Sequence, residues 1–186
     1  SAASDVYKRQ IIIGTTCGAV GTAFHYSVEY VTKYRDSHSW IIYLLPLAGL
    51  VIIFLYRSCG LKHDKGTNLV IGSIRNSEYN VPFRMAPLIF ISTAITHLFG
   101  GSAGREGAAL QIGGSIGASI GKLVKMNDND KHIMTLCGMS AVFAALFGTP
   151  VTAALFSVEV ISIGILYYSA LVPLSLIHIS EPTRHL

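Results

Sequence analysis

The stretch Gly100-Gly101-Ser102-Ala103-Gly104-Arg105-Glu106-Gly107 concentrates the residues of this chain whose types and spacing suit chemistry. Glycines let a backbone approach a ligand closely, and a helix that begins at Arg105 presents unpaired N–H groups in its first turn. Those groups, together with the helix dipole, make an anion site. A glutamate in the same turn sets its own carboxylate in competition for that site. Protonated or swung aside, it admits an anion. From this physics Glu106 has two readings: a residue that stabilises its helix start by about 0.3–1 kcal/mol, or a gate. His97, inside the uncharged run that leads into the turn, reads either as a proton relay or as a neutral histidine bonded to backbone.

Other uses of a glycine-rich turn fit poorly. A dinucleotide loop needs a preceding strand and a following acidic residue in a βαβ unit. Here the uncharged run Met85–Gly104, which contains the turn itself, occupies the place of the strand. A phosphate loop fails too, because Leu123 follows Gly121-Lys122 and Ile116 stands where the first glycine belongs. No histidines show a spacing such as HxxxH, so neither metal nor cofactor is expected, and no enzymatic step is implied.

The elements that position the turn are apolar. Of 186 residues, 51% are hydrophobic and 13% charged, against about 25% charged in a soluble domain. Uncharged runs cover Ile11–Val28, Trp40–Tyr56, Met85–Gly104 and Ile133–Val158. A spanning helix needs ~20 mostly apolar residues, so the chain reads as integral to a lipid bilayer. The net charge of +4 carries no nucleic-acid signal, since the basic residues are scattered over short loops. By the positive-inside rule Arg57, Lys62 and Lys65, with Asp64 among them, favour a cytoplasmic loop, although Lys33, Arg35 and Asp36 make the preceding loop nearly as basic. Cys17, Cys59 and Cys137 lack CxxC spacing and read as buried free thiols.

Along the chain the pattern predicts helices over Gly14–Tyr34 and Trp40–Tyr56, a short one over Gly66–Ile74, and a third long one after Pro82 and Pro87 that ends near Phe99. A further helix over Arg105–Val124 carries Gly113, Gly117 and Gly121 at four-residue spacing, which lets backbones approach closely. Met126–Lys131 reads as a polar loop. Gly148-Thr149-Pro150 divides the last run into helices over about 132–146 and 150–166, followed by a segment from Leu166. Residues 1–10 and 175–186 differ in composition from what they flank and are expected to be foreign to the fold. Non-helical backbone at membrane depth is tolerated only where protein or water satisfies it, and broken helices point their N-termini at transported substrate.

Three segments carry a family resemblance. GSAGREGAALQIGGSIG resembles the glycine-rich signature of CLC anion channels and transporters, usually GREGP or GKEGP; Ala108 stands in the proline position. GTNLV at Gly66–Val70 falls where most CLC proteins have GSGIP, and it is closer to the variant of the fluoride-exporting branch, which also replaces the proline after GREG. Pro150–Val160 resembles the helix that ends in a Glu-Glu pair in chloride/proton exchangers: Glu159 matches the first glutamate and Val160 replaces the second.

The resemblance implies an all-α integral membrane fold of the CLC type. Residues 11–174 would form one half of an inverted repeat with broken, tilted helices. It implies Glu106 as gate and proton-coupling group, with Gly104, Arg105, Glu106, Gly107, Thr67 and Asn68 at the anion. Glu159 and His97 are secondary candidates, Glu159 as a helix-end or dimer-side residue. The implied activity is proton-coupled fluoride export, with a chloride channel or chloride/proton exchanger as the alternative. A halide, a proton, the lipid bilayer and a second copy of the chain are the implied partners, in a multi-pass plasma-membrane protein. A soluble nucleotide-binding enzyme and a non-transporting scaffold are the rivals from other classes.

Overall fold

The chain was analysed as a computed structural model that describes residues 2–61, 66–75 and 81–159. Lys62, Asp64, Lys65, Val160, the segment from Leu166 and the stretch 175–186 lie outside the described residues. All the regular elements described are helical.

Helix α1 (Ala2–Ser37) is longer than its apolar run requires and continues unbroken through residues 2–10. A 3₁₀ turn (Ser39–Leu44) then leads into α2 (Leu45–Ser58). A single helix from Trp40 is therefore not what forms. Pro46 lies in the first turn of α2, where its missing N–H costs nothing, so the α-helical ladder starts at the proline rather than running through it. Helix α3 (Thr67–Arg75) is short, and α4 (Met85–Leu98) carries Pro87 in its first turn. Helix α5 (Arg105–Leu123) begins at the residue after Gly104, as the glycine content of the preceding turn requires.

The expected loop over Met126–Lys131 is corrected at its C-terminal part, because α6 spans Asp128–Phe147. Its polarity is that of a helix start: Asn127 accepts the Asp130 amide at 2.8 Å through its side-chain oxygen, and Asp128 and Asp130 suit the positive end of the dipole. The break at Gly148 follows from conformation. Gly148 adopts φ +68° and its N–H closes on the Ala144 carbonyl at 2.7 Å, and Pro150 opens α7 (Pro150–Glu159).

Helix α6 runs through the centre, buried without interruption from Met134 to Leu146. It lies against α1, α5 and α7. Small residues permit this. A Cβ on Gly113 would collide with the Gly138 carbonyl, one on Gly138 with the Gly113 carbonyl, and one on Gly117 with the Met134 carbonyl. On the other side a Cβ on Gly21 would lie 2.7 Å from the Ala145 Cβ and 3.0 Å from the Val142 oxygen. The expected small-residue face of α5 is thus a contact face at Gly113 and Gly117, close enough for backbone-to-backbone packing.

Helix α2 is the opposite case. Only Ala48 is buried, and Leu50 and Phe54 are 65% and 69% exposed. Among the described residues, Lys8–Ser37 and Ser39–Ser58 are long and apolar enough to cross a membrane. The other two apolar runs are divided. At 1.5 Å per residue the 14 residues of α4 extend about 21 Å, short of the ~30 Å hydrocarbon thickness. A helix of that length cannot carry the chain across the hydrocarbon by itself.

Candidate functional site

Helix α4 ends because Gly100 takes φ +81°. The Gly100 and Gly101 amides close on the carbonyls of His97 (3.2 Å) and Thr96 (2.8 Å), which turns the chain out of the helix. Neighbours fill the space a side chain would need: a Cβ on Gly100 would lie 3.1 Å from Ile42 Cγ1, and one on Gly101 2.7 Å from Thr96 Cγ2. Gly100→Ala is expected to cost about 1–2 kcal/mol for left-handed backbone alone. At about 2–4 °C per kcal/mol for a chain of this size, thermal unfolding of the detergent-solubilised protein should shift down by about 2–8 °C.

After the turn Gly104 is extended, at φ −67° and ψ 125°, and no side chain caps α5. The first-turn amides, which have no acceptor within a helix, are thus left to other partners. Glu106 is exposed, and its carboxylate folds back over the helix start, with Oε2 3.2 Å from where a Gly104 Cβ would sit. It makes no ion pair among the described residues. An exposed carboxylate that meets only the helix dipole there gains about 0.3–1 kcal/mol. That is weak enough for a competing anion to displace it.

A second helix start lies alongside. Thr67 is the first residue of α3, preceded by Gly66 at φ +59°. Its hydroxyl oxygen is 3.2 Å from where a Gly107 Cβ would sit and accepts a hydrogen bond from Gln111 Nε2 at 3.3 Å. Glycine at 107 is therefore what lets α3 approach the first turn of α5. Because Gln111 donates to the oxygen, the Thr67 hydroxyl proton stays available for an anion.

Consecutive helix residues are about 100° apart, so Arg105, Glu106 and Gly107 leave α5 in three directions. Gly107 meets Thr67. Arg105 lines a cavity with Thr32 and Arg35 of α1, His97 of α4 and the Gly100–Ala103 turn. His97 is 8% exposed, and its Nδ1 has no hydrogen-bond partner, so the backbone-bonded reading does not describe that nitrogen. Asn68 is exposed at the start of α3, and Glu159 is exposed at the last described residue of α7. The structure thus brings Thr67, Gly104, Glu106 and Gly107 together and sets Arg105 and His97 in an adjoining cavity; Asn68 and Glu159 are exposed and make no side-chain hydrogen bond or ion pair among the described residues.

Sequence reasoning missed Gln111, Thr32 and Arg35. Gln111 had a usable signal, since it lies four residues after Gly107 and so shares its helix face. Thr32 and Arg35 had none, because nothing local relates α1 to the glycine turn.

A family profile described as Voltage gated chloride channel matches residues 48–179. The chain belongs to the CLC family. It is 38% identical over 162 residues to the Chloride/fluoride channel protein of Pseudomonas syringae pv. tomato, covering 87% of this chain and 36% of the relative. With the H(+)/Cl(-) exchange transporter ClcA of Vibrio campbellii it shares 27% identity, over 80% of this chain and 35% of the relative. Among solved structures, a CLC-type fluoride/proton antiporter superposes with a TM-score of 0.89 at 34% identity, over 96% of this chain and 45% of that one. A slow cyanobacterial Cl⁻/H⁺ antiporter, at TM-score 0.67 and 22% identity, shares the fold. This CLC chain therefore spans about a third to under a half of the length of the proteins it matches. Its fold is the all-α membrane fold of those antiporters, and its setting is a membrane.

Proposed function

We propose that this chain is the first half of the transmembrane domain of a proton-coupled halide transporter, with Glu106 as its gate and fluoride as the leading ion. The observation that carries the reading is the Glu106 carboxylate folded back over an uncapped helix start, beside the Thr67 hydroxyl of a second helix start. First-turn amides of α5 and the Thr67 hydroxyl offer donors to a dehydrated anion, and glycine at 104 and 107 lets that anion approach the backbone. The ionised gate occupies the place an anion needs. Protonation removes its charge, releases the helix start and carries one proton across with each swing.

The bond made and broken is the O–H of the Glu106 carboxyl as it takes up and releases its proton, and the reading calls for no cofactor or metal. Fluoride leads because Thr67-Asn68 and Ala108 resemble the fluoride branch, and because the relative at 38% identity and the structure at 34% identity carry fluoride in their names. The complete protein is read as a multi-pass plasma-membrane homodimer.

The test is efflux from liposomes holding the full-length protein, followed with fluoride- and chloride-selective electrodes. Fluoride should leave at least tenfold faster than chloride. Equal or faster chloride efflux would sink the fluoride assignment and favour chloride/proton exchange.

A further inference from the structure

The seam between α3 and α5 holds a polar side chain to which the gating reading gives no task. Gly107, Gln111 and Gly114 stand at i, i+4 and i+7, on one face of α5. Glycine at both ends of this stripe lets α3 settle against α5. A Cβ on Gly107 would press on the Thr67 hydroxyl oxygen at 3.2 Å, and one on Gly114 would collide with Cγ1 of the fully buried Val70. Gln111 lies between these two contacts, half-buried, and its Nε2 donates to Thr67 Oγ1 at 3.3 Å. The packing that fixes α3 against α5 thus also fixes the hydroxyl against the amide.

The use made of the Thr67 hydroxyl sets it apart. Thr15, Thr32, Thr96 and Thr135 each donate to the carbonyl four residues earlier, at 2.7–2.9 Å, and Ser119 and Ser157 do the same. A hydroxyl that spends its proton this way offers only lone pairs to its surroundings. Thr67 is the first residue of α3 and has no carbonyl of a preceding helical turn to serve. Its oxygen accepts from Gln111 instead, and no acceptor takes its proton among the described residues. A hydrogen bond received by the oxygen also polarises the O–H and strengthens it as a donor.

We propose that Gln111 is a positioning residue for halide binding: its amide holds the oxygen of Thr67, so that the hydroxyl proton is directed to the ion. The proposal rests on the halide-transport reading above. Without the amide the hydroxyl rotates freely, and part of the binding free energy goes into ordering it when the ion arrives.

A double-mutant cycle tests this, read by initial-rate efflux of fluoride and of chloride from liposomes holding the full-length protein. Gln111→Met, which keeps the length of the side chain but has no N–H, is combined with Thr67→Val and with Thr67→Ser. Alone and with Thr67→Ser, it should raise KM for the transported halide about three- to tenfold, with kcat within about twofold. With Thr67→Val, where no hydroxyl remains to be oriented, it should change KM by less than about twofold. If the methionine variant aggregates on size exclusion, Gln111→Ala, which also lacks the N–H, takes its place in the cycle. A contact that only joins α3 to α5 would lower the yield of folded protein and leave KM where it was. An unchanged KM, an equal rise with Thr67→Val, or a fall in kcat at constant KM overturns the positioning role. Wild-type protein that moves neither halide overturns the transport reading and the positioning role together. Normal wild-type flux with no coupling between positions 67 and 111 overturns the positioning role alone.

Discussion

Glu106→Gln should abolish proton movement through the full-length protein while halide flux continues. The amide has the shape of the protonated carboxylic acid but cannot take up or release a proton, so the variant is held in the condition that admits anions. Glu106 is suited to this role by what surrounds it. It is exposed, it stands in the first turn of α5 without an ion pair to lysine or arginine among the described residues, and its attraction to the helix dipole is on the order of 1 kcal/mol. A gate in a tight ion pair would not open readily. In liposomes with an imposed fluoride gradient, the proton signal is expected to fall to the protein-free background, at least tenfold below wild type. Halide efflux should remain within about tenfold of it. Proton uptake that survives the substitution would refute the role of Glu106.

The second large effect is structural. Gly113→Val should eliminate the folded protein, because its first side-chain carbon would occupy the space of the Gly138 carbonyl. Overpacking a core commonly costs about 1–3 kcal/mol when side chains can adjust. Here the obstacle is backbone of α6, which is buried along its whole central length, so neither helix can yield without parting from the other. Size-exclusion chromatography of the detergent-solubilised variant is expected to show aggregate where wild type gives one symmetric peak. Gly49→Val is the control. A Cβ there meets nothing within 4 Å, so a monodisperse peak is expected despite the same change of residue. A monodisperse Gly113→Val would mean that α5 and α6 do not pack through this glycine.

These two sites differ in how far the linear chain announced them. The start of α5 at Arg105 and the break at Gly148-Thr149-Pro150 were legible because glycine and proline act on the backbone where they stand. The glycines at 113 and 117 were legible as a packing face, because a four-residue spacing puts them on one side of any helix. The partner was not legible: that Gly138 receives Gly113 depends on how α5 and α6 cross. The start of α6 was misread because a polar stretch serves loop and helix cap equally well, and only the Asn127 contact to the Asp130 amide separates them. The 3₁₀ turn before Pro46 lay hidden in an apolar run whose composition suits either helix type.

At the site the same division holds. Composition and local pattern determined that the chain belongs in a membrane, that it is helical, and that a glutamate stands in an uncapped, glycine-led helix start. Each of these depends on residues within a few positions of one another. Tertiary structure alone decided that Thr67 and Gln111, 44 residues apart, meet at that helix start. It also decided that Arg35 and His97 join Arg105 around one cavity while Asn68 and Glu159 remain exposed. The physical reason is that such contacts follow from the crossing of whole helices. That crossing is set by the summed packing of α1, α4, α5 and α6 and by no short segment of the chain.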